Sequence, residues 1–243
     1  MASYLEDLAY IHDRGFSEFA LRSSSGLLRI LRRYSIDRGF VADLGCGNGI
    51  WARQLTFAGY RALGIDASPA MIRLARRNAP AAQFRVASLV DGTLPKCDAV
   101  TAIGEALSYA FHGDASGRRI GAFFRRVHRA LAPGGVFIFD FARTGREPAG
   151  MPRKSYWTGD NWAVLVEAEE DAGRRLLTRQ LVSFRMVGRC YRRVEETHVL
   201  RLYEGGELEE RLAAAGFEVH RLRGFGEYRF RSGHGGMVGR KPV

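Results

Sequence analysis

With 243 residues, 46% hydrophobic and 26% charged, the chain suits one α/β domain with an insertion and is long enough to bury a core without disulfides or metal. Its three cysteines, Cys46, Cys97 and Cys190, lie far apart with no C-x-x-C pair, which excludes a disulfide framework and a zinc site and fits a reducing compartment. The formal net charge of +11 suits an anionic partner such as nucleic acid, but the basic residues run along the whole chain, as on a solvated basic surface.

Residues 1–14 carry acids and no apolar segment, so they read as no signal peptide, and no run nears the ~18 apolar residues of a membrane span; a cytoplasmic protein is expected. The spacing of Phe19, Leu27, Leu28, Ile30 and Leu31 predicts a helix over 17–34. Residues 40–44 then form a short apolar run ending in glycines, which reads as a buried strand. A helix over 50–58 stops at Gly59, and a strand over 62–65 is closed by Asp66. Ser68 can cap, and Pro69 can open, a helix to about residue 77. Strands over 83–87 and 99–103 follow, then an amphipathic helix with Ile120, Phe123, Phe124, Val127 and Leu131 on one face. Pro133-Gly134-Gly135 breaks it before a fifth strand over 136–140. Nearly all-apolar strands alternating with helices predict a parallel sheet covered on both faces.

The pattern lapses after residue 141. Residues 144–155, rich in Gly, Pro and Arg, read as a loop; 162–167, 176–186 and 192–202 alternate like three antiparallel strands. A helix over 204–215 ends at Gly216, and strands over 217–222 and 237–240 finish the chain.

The loop Asp43-Leu44-Gly45-Cys46-Gly47-Asn48-Gly49 joins a buried strand to a helix, where glycines let the backbone turn sharply and a ligand approach closely. On its own it fits a ligand-free tight turn equally well. Asp66 strengthens it: an acid about 20 residues on can accept the hydroxyl hydrogens of an adenosine ribose. A dinucleotide site needs a small residue where Ile50 stands, and Asp43 would repel a pyrophosphate while attracting a cationic ligand. A nicotinamide dehydrogenase is therefore disfavoured.

Residues 41–49 resemble the first motif of class I S-adenosylmethionine-dependent methyltransferases, 64–71 their second motif, and 130–137 the entry to their fifth strand. Ala215-Gly216-Phe217 and the closing hairpin are similar as well. The resemblance implies a Rossmann-like, doubly wound α/β sheet of seven strands with the last antiparallel, and S-adenosyl-L-methionine as cofactor with no metal. By position it implies that Asp43, Gly45, Cys46 and Gly47 surround the methionine end and Asp66 holds the ribose. Ala67, Met71, Ser88 and Leu89 would flank the adenine, and Ile103, Gly104 and Glu105 would pass the sulfonium. It also implies three regions: a helical cap over 1–37, the cofactor-binding domain over 38–143 with 204–243, and an antiparallel lid over 144–203, of the kind small-molecule methyltransferases carry.

The acceptor is expected beyond the carboxyl ends of the strands. His112 and His234 are the candidate bases; Tyr10, His12, Tyr109, Tyr228 and Arg201 are candidate acceptor binders. The lid arginines read either as a wet face or as a roof for an anionic acceptor. The expected reaction is methyl transfer to an O or N atom of a small molecule, with RNA methylation and non-catalytic cofactor binding as alternatives. RNA is disfavoured because Gly104-Glu105-Ala106-Leu107 stands where amine-directed nucleic-acid enzymes carry Asp or Asn before Pro-Pro and an aromatic, and Cys97 precedes the fourth strand. Monomer and homodimer both remain open.

Overall fold

The chain was analysed as a computed structural model that describes residues 4–90, 92–114, 116–147 and 151–243. Two helices open it, α1 (Glu6–Gly15) and α2 (Glu18–Arg33), where the sequence predicts one. α1 was hidden by its composition: it has a narrow apolar stripe, Leu8 and Ile11, among Glu6, Asp7, Asp13 and Arg14. Tyr10 and His12 therefore lie on a helix rather than before one.

The cofactor-motif half follows the sequence reading closely. It runs β1 (Phe40–Leu44), α3 (Ile50–Phe57), β2 (Arg61–Asp66), α4 (Pro69–Asn78), β3 (Gln83–Val86), β4 (Cys97–Ala102), a short α5 (Ala106–Ala110), α6 (Arg118–Ala130) and β5 (Leu131–Ala142). The Ser68 hydroxyl caps α4 by accepting from Met71 N at 3.2 Å. β5 begins at Leu131, ahead of Pro133-Gly134-Gly135, and its pairing with β4 shifts register there, from Leu131 opposite Cys97 to Val136 opposite Ala99.

Four strands follow, not three: β6 (Arg153–Gly159), β7 (Trp162–Asp171), β8 (Leu176–Val187) and β9 (Cys190–Arg201), paired in that order as one antiparallel sheet. β6 falls partly in the stretch that reads as a loop, of which residues 148–150 lie outside the described residues. Its residues are largely exposed, so no apolar alternation announces it. The chain closes with α7 (Gly205–Ala214), β10 (Glu218–Leu222), a small hairpin of β11 (Gly224–Phe225) and β12 (Tyr228–Arg229), and β13 (His234–Arg240).

The main sheet has seven strands in the order β10-β13-β5-β4-β1-β2-β3. β1 to β5 pair in parallel; β13 runs antiparallel to both β5 and β10. Alternation along β5 sends Phe137, Phe139 and Phe141 to one face, under α6 and α7, and Val136 and Ile138 to the other, under α2 and α3. Gly26 of α2 lets the helix touch the β11–β12 hairpin: a Cβ there would lie 2.3 Å from the backbone of Phe225. The carboxyl ends of β1, β2 and β4 are thus left beneath α1, α2 and the second sheet.

Candidate cofactor and acceptor site

A cavity of ≈ 380 Å³ opens at those strand ends. Asp43, Gly45, Cys46, Gly47, Asp66, Ala67, Met71, Ser88, Leu89, Ile103 and Gly104 all line it, so one cavity gathers every sequence-predicted cofactor residue except Glu105. His12, Tyr109 and His112 line it too.

The glycine loop turns through left-handed backbone at Gly45 (φ 70°), Gly47 (φ 52°) and Gly49 (φ 78°). A Cβ on Gly45 would come within 2.6 Å of the Ala106 Cβ, whereas Gly47 faces open space. Asp66 ties the loop to the next strand: Gly47 N donates to Oδ2 at 2.9 Å and Ser68 N to Oδ1 at 2.8 Å. Each oxygen keeps a lone pair for a ligand hydroxyl. Asp43 is buried and receives one side-chain bond, from Thr101 Oγ1 at 2.8 Å. Burial pushes its carboxyl up to about 7, against the Thr101 bond, and raises Asp66 as well. Two desolvated carboxylates in a largely apolar cavity fit an uncharged sugar edge and a cationic amine, and would repel phosphates. At the far end, Ser88 Oγ accepts from Val90 N at 3.1 Å.

α1 is pinned over this floor. The Asn48 amide donates to Asp13 and Ser17, and the Asn78 amide to Asp13, each at 2.8 to 2.9 Å. On its other side Asp7, 2% exposed, takes hydrogen bonds from Arg185 and Arg192 of the second sheet. Those bonds outweigh burial and hold its carboxyl below the usual range. α1 therefore bridges the main sheet and the second sheet, whose Arg179 and His198 contact the cavity residues Tyr109 and Tyr4.

Elsewhere on the cavity wall, His12 presents a buried Nδ1 with no hydrogen-bond partner among the described residues. Burial pushes this imidazole down to about 4, so it is neutral. His112 Nδ1 lies 2.9 Å from the Tyr109 carbonyl oxygen. A carbonyl only accepts, so in neutral His112 Nδ1 carries the proton and Nε2 bears the lone pair. The Tyr109 hydroxyl accepts from Arg179 at 3.0 Å.

Five predicted residues stand elsewhere. Glu105 turns from the cavity and pairs with Arg146 and with Arg179. Burial alone would raise its carboxyl, but the two guanidinium groups hold it below the usual range. His234 is locked to Asp140, Nε2 to Oδ2 at 2.6 Å, behind Phe19, and Tyr228 packs edge-on to Phe19 at 4.8 Å. Tyr10 lines a separate cleft beside Trp157 and Trp162, its hydroxyl on Asn161. Arg201 donates to the Arg174 carbonyl at 2.8 Å at the turn between β7 and β8. These are corrections: the side chains are used by pairing between elements that sequence spacing cannot show.

Sequence reading also missed residues. Thr101, Trp51, Phe16, Phe19 and Tyr4 bear on the cavity, and Asp140 fixes its rim by accepting from Gly104 N at 2.8 Å. Thr101 and Asp140 carried a signal, being lone polar residues in apolar strands.

The fold, the glycine loop and the carboxylate that ends β2 resemble those of class I S-adenosylmethionine-dependent methyltransferases, whose cofactor is S-adenosylmethionine. The sequence profile described as "Methyltransferase domain" matches residues 41–135. An N,N-dimethyltransferase of dTDP-3-amino-3,6-dideoxy-alpha-D-glucopyranose from Streptomyces fradiae is 25% identical over 92% of this chain and 88% of its own. Trans-aconitate 2-methyltransferase of Delftia acidovorans is 32% identical over 53% of this chain and 50% of its own. Among solved structures, the sugar N-methyltransferase KedS8 of a Streptoalloteichus species superposes with TM-score 0.81 at 21% identity, covering 100% of this chain and 96% of that one. Among the described residues no helix is long and apolar enough to cross a membrane.

Proposed function

We propose that the protein methylates an amino nitrogen of a small acceptor. The observation that carries this reading is that no arginine or lysine lines the cavity among the described residues, and that the arginines around it are paired: Arg185 and Arg192 with Asp7, and Arg146 and Arg179 with Glu105. An anionic acceptor needs an unpaired guanidinium; the cavity wall offers instead a neutral His12, a Tyr109 hydroxyl and the lone pair of His112. The likeness to the Streptomyces fradiae N,N-dimethyltransferase over most of both chains supports the same reading. A second reading, methylation of a carboxylate, is favoured by the trans-aconitate relative over about half of each chain.

Bound cofactor supplies a methyl group on a sulfonium. Asp66 would hold the ribose hydroxyls and Asp43 the ammonium of the methionine end, with Gly45, Cys46 and Gly47 around it. Ala67, Met71, Ser88 and Leu89 would enclose the adenine, and Ile103 and Gly104 would pass the sulfur. His12 and Tyr109 would orient the acceptor, and α1 with the lid would exclude water. As the methyl–sulfur bond breaks and the methyl–nitrogen bond forms, His112 Nε2 would take the proton that nitrogen releases.

The test is a methyl-transfer screen comparing aminohexoses and their nucleotide conjugates with di- and tricarboxylic acids. Turnover of amines, reduced at least about tenfold by His112→Gln at unchanged cofactor affinity, supports the proposal. Turnover of carboxylates alone overturns it.

A further inference from the structure

Parallel pairing of β1 with β4 sets Thr101 directly beside Asp43. Thr101 is fully buried and Asp43 nearly so, and Trp51 of α3 is 3% exposed. The Trp51 indole Nε1 lies 3.1 Å from Thr101 Oγ1, which in turn lies 2.8 Å from Asp43 Oδ1. An indole N–H only donates, so it occupies a lone pair of the threonine oxygen. The hydroxyl hydrogen is then directed at Asp43, whose carboxylate accepts it. Asp43 Oδ2 has no partner among the described residues, and Asp43 lines the cavity.

We propose that Trp51 and Thr101 are positioning residues for the cofactor's amino-acid end: their relay orients the Asp43 carboxylate so that its free oxygen meets the ligand's ammonium. This rests on the cofactor role given to Asp43 above. No loop spacing points to the relay; it needs a strand register and a helix to bring three buried groups into line.

Asp43 needs such support. Burial is the largest influence on it, and Asp66 across the glycine loop opposes its ionisation further; Cys46 is the other titratable group beside it, its thiol pushed up by burial. The carboxyl of Asp43 sits at about 7. Binding of an ammonium requires ionised Asp43, so affinity rises with pH through that value. It falls again at higher pH, where the ligand's ammonium loses its proton. Removing the Thr101 donor destabilises the carboxylate and moves only the acid limb, upward.

The experiment is calorimetric titration of the whole chain with S-adenosylhomocysteine from pH 6 to 9, beside 5′-methylthioadenosine, which lacks the amino-acid end. Thr101→Val, nearly the same shape, is expected to weaken S-adenosylhomocysteine about tenfold or more at pH 7, the loss of one hydrogen bond to a charged group. It should shift the acid limb upward and leave methylthioadenosine within about twofold. Thr101→Ser should restore both affinity and limb. Trp51→Phe should give the same selective pattern, smaller, and it serves if Thr101→Val does not fold. Equal weakening of both ligands, or an unmoved acid limb, overturns the relay and leaves these residues as packing. Binding of neither ligand by the wild type is a different failure, that of the cofactor site itself.

Discussion

Glu105 offers the sharpest test of how the lid is held. It is a buried carboxylate in left-handed backbone (φ 62°), and it pairs with Arg146 and Arg179. Glu105→Gln keeps the shape and the backbone and removes the charge. The side chain of Glu105 is 9% exposed and those of the arginines 23% each, so both guanidiniums stay largely desolvated without a counter-charge. Breaking a buried pair in this way costs ~3–5 kcal/mol, and the lower end applies because the arginines still reach some water. For a chain of this length the unfolding entropy is about 0.5 kcal/mol per degree, so ~3 kcal/mol lowers Tm by about 6 °C. Differential scanning calorimetry at pH 7 reads it. The sign with pH is fixed as well. The folded carboxyl titrates below its ordinary 4.5, so its contribution is fully present above that value and is lost as pH falls through the folded one. The gap between wild type and Glu105→Gln should therefore narrow below pH 4.5. A fall in Tm under about 1 °C, or a gap independent of pH, would refute the reasoning.

Asp7→Asn removes the negative charge shared by Arg185 and Arg192 and should loosen α1 from the lid; limited proteolysis should cut the lid hairpins severalfold faster, while the melting temperature falls less than for Glu105→Gln because Arg192 is half exposed. Arg201→Ala should leave acceptor KM within about twofold, since that guanidinium is spent on the Arg174 carbonyl at the lid's outer turn. His112→Gln, with kcat lowered and cofactor affinity kept, belongs with the acceptor screen above.

What the sequence could disclose was local. Residues 43–49 and Asp66 sit at the ends of strands whose apolar runs are unmistakable, and an acid closing the strand after a glycine turn is readable from spacing alone. The lid arginines show the limit. Their number suggests a roof for an anion, but the carboxylates that take Arg185 and Arg179 come from distant elements: Asp7 is 178 residues from Arg185, and Glu105 is 74 from Arg179. No periodicity encodes such pairs. α1 and β6 escaped for a related reason, because one has a narrow apolar stripe and the other is mostly exposed, so packing on the lid fixes them more than their own patterns do. His234 was singled out as a histidine near the right sheet edge; that Asp140 would hold it behind Phe19 depends on a strand pairing across 94 residues.

The most direct test of the account is calorimetric titration of S-adenosylmethionine and S-adenosylhomocysteine into wild type and Asp66→Ala. Asp66 anchors the glycine loop through Gly47 and Ser68 and is, with Asp43, one of two carboxylates that line the cavity among the described residues. Two hydrogen bonds to a charged acceptor, at ~1.5–3 kcal/mol each, predict at least about a hundredfold loss of affinity in the variant against micromolar binding by the wild type. Absence of binding by the wild type, or equal binding by the variant, would contradict the assignment of this cavity to the cofactor.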